Sequence, residues 1–301
     1  MAASPTGTNS KLKGEDLDQV PPFTILRPKT QSAPIVFASP HSGNHYPKAF
    51  VNSSQLDPIA LRRSEDAFVD ELYDASVKFG APLLKANYPR AYVDLNREPF
   101  ELDPNMFADV LPSYVNTDSA RAAAGLGTVA KLVTNGSNIY GDKLNFEEIR
   151  NRIEKLYHPY HAALRKLIDD TQSIFGACLL IDCHSMPSIG GPMDTDSGTT
   201  RTDIILGDRF ASSCAEWVTN LAQTTLEKEG FIVRRNRPYA GGFTTHHYGE
   251  PNKRIHTLQI ELNRELYMDE ENITRLDDMA NVKQRLQPLI ERLCAINSDR
   301  L

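Results

Sequence analysis

Short apolar runs along this chain alternate with longer stretches in which apolar residues recur at helical spacing. Pro34-Ile-Val-Phe-Ala38 is apolar throughout and breaks at Ser39-Pro-His-Ser-Gly43, which predicts a buried strand ending in a tight loop. Asp57-Pro58 is a helix start, and Phe68, Val69, Leu72, Tyr73 and Val77 keep helical spacing until Gly80, so a helix is predicted there. Residues 82–86 and 91–95 predict two more strands. After Asn145, the residues Ile149, Ile153, Leu156, Tyr160, Leu164 and Leu167 share one helical face, with a kink or two abutting helices predicted at Pro159. Ala177-Cys-Leu-Leu-Ile181 predicts a second buried strand, running into Asp182-Cys-His-Ser-Met-Pro187. Residues 203–207, 231–233 and 257–262 predict further strands, and 209–229 and about 272–297 predict helices. Strands alternating with helices imply an α/β fold with a largely parallel or mixed central sheet. No internal repeat is visible, and residues 21–301 read as one domain with a loop-rich insertion around 97–143.

Composition adds limits. A chain of 301 residues, 40% apolar and 24% charged, can bury a large core without disulfide or metal staples. The net charge of −6 argues against nucleic acid as the main partner, although Arg234, Arg235 and Arg237 form a small basic cluster. The apolar runs are far shorter than the roughly 20 residues of a membrane-spanning helix, so no membrane association is expected. Residues 1–20 are polar, carry Gly, Pro and Ser and lack an apolar core, so a disordered tail and no secretory signal are expected. The cysteines Cys178, Cys183, Cys214 and Cys294 form no CxxC pair and read as reduced thiols of a cytoplasmic protein. The pattern sets no oligomeric state.

In open α/β sheets, ligands bind beyond the carboxyl ends of strands. Three such ends carry reactive side chains: His41, Asp182-x-His184, and Glu261-Leu-Asn-Arg264. Two imidazoles and a carboxylate converging there match the needs of a catalytic zinc, which keeps one position open. Asp182 is placed to orient His184, although each histidine also suits a structural hydrogen bond. No HxxE or HExxH supplies the third ligand; the nearest acidic pair is Glu65-Asp66, at a predicted helix start where carboxylates are commonplace. Asn96-Arg97, and Arg90 before it, suit a substrate carboxylate or equally a surface ion pair. His158 and His161 could serve a second metal or helix packing. Of the adjacent His246 and His247, beside Gly241-Gly242, at most one faces a pocket if they lie on a strand. Ser42 and Ser185 lie in no Gly-x-Ser-x-Gly elbow, which disfavours serine hydrolase chemistry.

Six stretches in order complete the pattern. They are Ser39-Pro-His-Ser-Gly43, Ser64-Glu-Asp66 with Phe68-Val-Asp-Glu-Leu72, Asp94-Leu-Asn-Arg97, Asp182-Cys-His-Ser-Met-Pro187, Asn236-Arg-Pro-Tyr-Ala-Gly-Gly242 and Gln259-Ile-Glu-Leu-Asn-Arg-Glu-Leu-Tyr-Met268. Together they resemble the N-formylglutamate amidohydrolase family, itself similar to the zinc carboxypeptidases and aspartoacylases. The resemblance implies a three-layer α/β/α fold of the phosphorylase/hydrolase type with a mixed sheet. It implies Zn(2+) held by His41, Asp66 and His184, and Glu261 as general base. Asn96 and Arg97 match the carboxylate-binding pair, with Arg97 or Arg90 the cation, while Arg264, Gly241 and Gly242 line the substrate pocket. Arg62-Arg-Ser-Glu-Asp66 departs from the Asp-Thr-Asp form of other members. The implied reaction takes N-formyl-L-glutamate to formate and L-glutamate, a step of histidine degradation. The alternatives are a deacylase or carboxypeptidase for another N-acyl amino acid or small peptide, and a non-catalytic protein that binds an amino-acid derivative.

Overall fold

A computed structural model describes residues 20–301. The expected disordered tail therefore lies, apart from Val20, outside the described residues. Strands β1 (Phe23–Leu26), β2 (Ile35–Ser39), β3 (Leu83–Ala86), β4 (Cys178–Met186), β5 (Ile204–Gly207), β6 (Val233–Arg235) and β7 (Ile255–Asn263) form one sheet in the order β1-β3-β2-β4-β7-β5-β6. Neighbours β3, β2, β4 and β7 run parallel, β1 is antiparallel to β3, and β5 is antiparallel to β7 while carrying β6 parallel to itself. The mixed sheet is the one expected. Strands β2, β4 and β7 are buried along their whole length, which is why β2 and the start of β4 read as unbroken apolar runs.

Helices are α1 (Lys48–Ser53), α2 (Pro58–Arg62), α3 (Val69–Leu72), α4 (Ala120–Ala123), α5 (Phe146–Arg152), α6 (His158–Phe175), α7 (Glu216–Lys228), α8 (Phe243–Tyr248) and α9 (Met279–Cys294). Alternate side chains of each strand enter different cores. Phe37, Ile181 and Ile260 pack with Leu72 of α3, Val218 of α7 and Leu286 of α9. Val36, Leu84 and Leu180 pack on the other face with Ile149 of α5, Leu164 of α6 and Val133 of the loop region. Two cores on two faces of one sheet make the three layers.

The sequence reading needs correction in several places. Residues 57–79 are not one helix. Asp57 caps α2, its Oδ1 accepting from Ile59 and Ala60 N–H at 2.9 Å, but the helix stops at Arg62. The Asp66 N–H then bonds the His41 carbonyl at 3.0 Å, which draws residues 63–68 toward the end of β2 before α3 begins. Residues 91–95 turn rather than extend, with the N–H groups of Tyr92 and Val93 both returning to the Pro89 carbonyl. Their apolar side chains fill the loop-side core instead of a sheet. At Pro159 the expected alternative of two abutting helices is found: a π-helical turn, Ile153–Tyr157, joins α5 to α6 and places the missing N–H of the proline at the first turn of α6. Helix α7 starts only at Glu216, because Arg209, Phe210 and Ala211 hold positive φ, and α9 starts at Met279. Strand β6 lies two residues later than expected. Residues 97–143 are irregular, as expected, with α4 as a single helical turn. Among the described residues no helix is long and apolar enough to cross a membrane. The four cysteines are buried and unpaired.

Candidate active site

The site arises from strand alternation. On β4, Leu179, Ile181 and Cys183 face one core, while the other face runs Cys178, Leu180, Asp182, His184. It is apolar at its beginning and polar toward its carboxyl end. On β7, Leu258, Ile260 and Leu262 are apolar, and the alternate positions are Thr257, Gln259, Glu261 and Asn263. The strands are parallel with Asp182 opposite Gln259 and His184 opposite Glu261, so these side chains share one face. His41 stands two residues beyond β2, and Asp66 comes from the turn that breaks the expected helix.

Both imidazoles aim Nδ1 at one oxygen. Asp66 Oδ2 is 3.3 Å from His41 Nδ1 and 3.0 Å from His184 Nδ1. The opposite nitrogens face other carboxylates: His41 Nε2 is 2.8 Å from Asp94 Oδ1, and His184 Nε2 is 3.0 Å from Asp182 Oδ1. The Asp94 carboxylate at His41 Nε2 assigns that ring's proton there and turns its Nδ1 lone pair inward, while His184 Nδ1 is hydrogen-bonded to Asp66 Oδ2 and its Nε2 also faces Asn96 Nδ2 at 3.2 Å. His41 Nδ1 is buried and has no hydrogen-bond partner. Ligand atoms of His41, Asp66 and His184, all buried, lie within 4.8 Å of one another. The unpartnered His41 Nδ1 and the Asp66 carboxylate, 3.3 Å apart, repel unless a proton or a metal cation lies between them. The 3.0 and 3.3 Å separations also approach the roughly 3.3 Å edge of a tetrahedron of ligands around zinc. The two-nitrogen, one-oxygen set therefore fits a metal ion.

Charge follows the same logic. Burial opposes ionisation of Asp66, but His184 and His41 outweigh it and hold its carboxyl well below the usual range. Burial likewise opposes charging His184, yet Asp182, Asp66 and Glu261 hold its imidazole well above its usual value. Asp94, despite burial, is held low by Arg90, Arg97 and His41. For Glu261 burial wins: its carboxyl is pushed up to about 7, with Asp66 and Asp182 adding to the rise and His184 and Arg90 opposing it.

The other expected residues fall around this centre. Arg90 donates twice to Asp94 Oδ2, at 2.7 and 3.2 Å. Arg264 donates to Asp66 Oδ1, the Arg63 carbonyl and Ser185 Oγ, which fixes the Asp66 turn against β4. Arg97 donates to the Leu126 and Asn96 carbonyls, with its remaining nitrogen 4.0 Å from Asp94. Asn96 accepts from the Thr244 N–H and lies 3.2 Å from His184 Nε2. Gly241 adopts φ +121°, and a Cβ at Gly242 would stand 2.5 Å from Asn96 Nδ2, so glycine is required at both positions. A cavity of about 290 Å³ is lined by His41, His184, Glu261, Arg97, Arg264 and Gly241, among others.

Three open alternatives are decided by the contacts. Glu65 points away from the histidines and pairs with Arg62 at 2.8 and 3.0 Å, which leaves Asp66 at the cluster. His246 and His247 sit on helix α8, not a strand, and both are exposed, so neither faces this cavity. His158 is exposed, while His161 holds the Leu95 carbonyl at 2.9 Å and Tyr248 Oη at 2.8 Å; the two do not form a metal pair. Burial pushes His161 down to about 3, which suits a neutral ring that donates to the backbone. Tyr157 Oη donates to the Arg97 carbonyl at 2.7 Å, so the end of the π-helical turn and α6 together grip the Asp94–Arg97 segment.

Sequence reasoning missed Asp94 as the partner of His41 and Gln259 as the partner of Glu261. Gln259 donates to Glu261 Oε1 at 2.8 Å and accepts the Gly242 N–H at 2.8 Å. The signal for Gln259 was present: polar residues at every second position of β7 between buried Leu258, Ile260 and Leu262. Arg121, which also lines the cavity, was missed because a single arginine in a loop-rich stretch carries no pattern.

Comparison with known proteins gives the family. The model of the N-formylglutamate amidohydrolase family matches residues 33–268. The N-formylglutamate deformylase of Pseudomonas putida is 30% identical over 280 residues, 89% of this chain and 94% of that protein. The N-formylglutamate deformylase of Pseudomonas aeruginosa is 27% identical over 281 residues, 92% of this chain and 98% of that one. The crystal structure of N-formylglutamate amidohydrolase from Ralstonia eutropha JMP134 superposes with a TM-score of 0.85 at 32% identity, covering 94% of this chain and 100% of that one. With the match spanning every residue of the His–Asp–His cluster and Glu261, the chain belongs to the N-formylglutamate amidohydrolase family.

Proposed function

We propose that this protein hydrolyses the amide of an N-formyl amino acid, N-formyl-L-glutamate, to formate and L-glutamate, with zinc as its resident metal. The observation that carries the reading is Glu261 set in register beside His184, both lining one cavity with His41, while Asp66 Oδ2 lies 3.3 and 3.0 Å from the two Nδ1 atoms. His41, Asp66 and His184 are the residues that would hold the ion. When bound, zinc supplies a Lewis acid for attack on the formyl carbonyl.

The remaining work falls to the chain. Glu261 takes a proton from the attacking water and returns it to the leaving amine. A carboxyl titrating near 7 is suited to both halves of that exchange. Gln259 holds Glu261 Oε1 and so fixes which oxygen is free. Asp94 keeps the His41 proton on Nε2, and Asp182 lies 3.0 Å from His184 Nε2. Arg90 is committed to Asp94, which leaves Arg97 the better placed of the two to bind the substrate α-carboxylate. Arg264 supports Asp66 from behind.

The test is formate release from N-formyl-L-glutamate, beside other N-formyl and N-acetyl amino acids and a chelator-treated control. Turnover that is strongest on N-formyl-L-glutamate and lost on chelation supports the reading. Turnover confined to another acyl amino acid keeps the hydrolase and moves the substrate. Metal-loaded protein with no turnover on any member of the panel overturns it.

A further inference from the structure

Four arginines line the cavity: Arg90, Arg97, Arg121 and Arg264. Three are occupied. Arg90 is on Asp94, Arg264 is on Asp66 and two further acceptors, and Arg97 spends two nitrogens on backbone carbonyls. Arg121 differs. Among the described residues, its guanidinium has neither a hydrogen bond nor an ion pair, and the residue is exposed.

Its backbone is nonetheless well held. Ser119 caps α4 and itself bonds the Glu101 carboxylate, and Ala122 is fully buried. The Leu126 N–H returns to the Arg121 carbonyl at 2.8 Å, while the Leu126 carbonyl accepts from Arg97 Nε at 2.8 Å. The Arg97 side chain and the Arg121 backbone are thus both tied to Leu126. The same cavity is lined by the apolar Leu126, Ala130, Leu132 and Val133 from the chain that follows Arg121.

An unpaired cation on a fixed turn, beside an apolar wall and near a second cation, matches a ligand with two carboxylates joined by a short aliphatic stem. We propose that Arg121 is a specificity-determining residue that binds the side-chain carboxylate of an acidic N-acyl amino acid, its methylenes packing on Leu126, Leu132 and Val133. The inference rests on the hydrolase reading above and adds the residue that separates acidic from neutral side chains. An arginine fork holds a carboxylate through parallel charge-assisted hydrogen bonds, and a neutral carboxamide of the same shape gains far less.

The experiment compares wild type, Arg121→Met and Arg121→Glu on N-formyl-L-glutamate, N-formyl-L-glutamine and N-formyl-L-lysine, with binding of L-glutamate and L-glutamine measured calorimetrically in the same proteins. Arg121→Met is expected to lower kcat/KM for N-formyl-L-glutamate about 10- to 100-fold, mainly through KM, with a much smaller change for the glutamine analogue. Arg121→Glu is expected to lower it further and to raise turnover of the lysine analogue. An equal fall on the glutamate and glutamine substrates, or no change on the former, overturns the role of Arg121 alone. Wild type that hydrolyses none of the three overturns the N-formyl-L-glutamate reading; calorimetry then decides the subsite by whether the wild-type preference for L-glutamate disappears in Arg121→Met.

Discussion

Cys183 and His184 are adjacent on β4, both buried, and chemically opposite. Cys183 enters the core with Ile181 and Ile260, where burial holds its thiol well above the usual range. His184 enters the other face, where Asp182, Asp66 and Glu261 overcome the same burial and favour a charged ring. Burial is shared by both faces, so it does not by itself make a reactive site. Convergence of opposite charges does, and the parallel register of β4 and β7 supplies it by bringing Glu261 beside His184. One face of these strands holds the fold together while the other is spent on carboxylates and imidazoles. The substitutions below test how independent the two faces are.

The largest effect is expected for Glu261→Gln. General acid–base catalysis contributes about 10²–10⁴-fold, so kcat should fall by that range while metal content stays at the wild-type level. The carboxamide keeps the volume and can still bond Gln259, so the fold should survive. A kcat within threefold of wild type would remove Glu261 from the proton-transfer role. Asp94→Asn comes next. It leaves the His41 ring in place but weakens the partner that keeps its proton on Nε2, and such partners are typically worth about 10–100-fold in metal affinity or activity. Unchanged metal affinity in that variant would mean that His41 is oriented by packing alone.

Proton linkage gives a smaller effect with a definite sign. In the metal-free protein Glu261 titrates near 7 and His184 above its usual value, so both carry protons at mildly acidic pH. A cation at the triad favours their deprotonated forms, and metal binding releases protons. Apparent metal affinity should therefore rise with pH across 6–8, by up to about tenfold per unit for each proton released. Proton uptake or release measured in weakly buffered solution checks this, and an affinity flat over that interval would contradict the electrostatic account of the polar face.

Much of this division is legible in the sequence. Alternating polar and apolar residues on β7, and a histidine following an apolar run on β4, reflect a strand geometry with a period of two. His41, His184 and Glu261 could be placed at strand ends for that reason, and the structure does gather them. Asp66 was harder. Helical spacing of Phe68, Val69, Leu72 and Val77 is genuine, but a single backbone bond from Asp66 to His41 breaks the helix, and such long-range bonds leave no local signature. Residues 91–95 misled for the opposite reason. Their side chains are buried as in a strand, but against loops, and burial without pairing looks the same in sequence. Asp94 could be seen next to Asn96-Arg97, but not its bond to a histidine 53 residues away. Arg121 was invisible because its distinguishing property is the lack of a partner.

The smallest effect on turnover belongs to the packing face. Ile260 precedes Glu261 on β7, is fully buried and points into the opposite core. Ile260→Val removes one methylene and keeps the β-branched side chain, so the strand preference is preserved. The expected cost is about 0.5–1.5 kcal/mol of stability, seen as a lower denaturant midpoint at unchanged slope. Turnover per folded molecule should remain within twofold of wild type, because the backbone carrying Glu261 is held from both sides by β4 and β5. A tenfold loss of kcat with little loss of stability would show that the apolar core sets the position of the carboxylate to a fraction of an ångström. In that case the two faces form a single device, and the pairing of β7 with its neighbours is too soft to isolate one from the other.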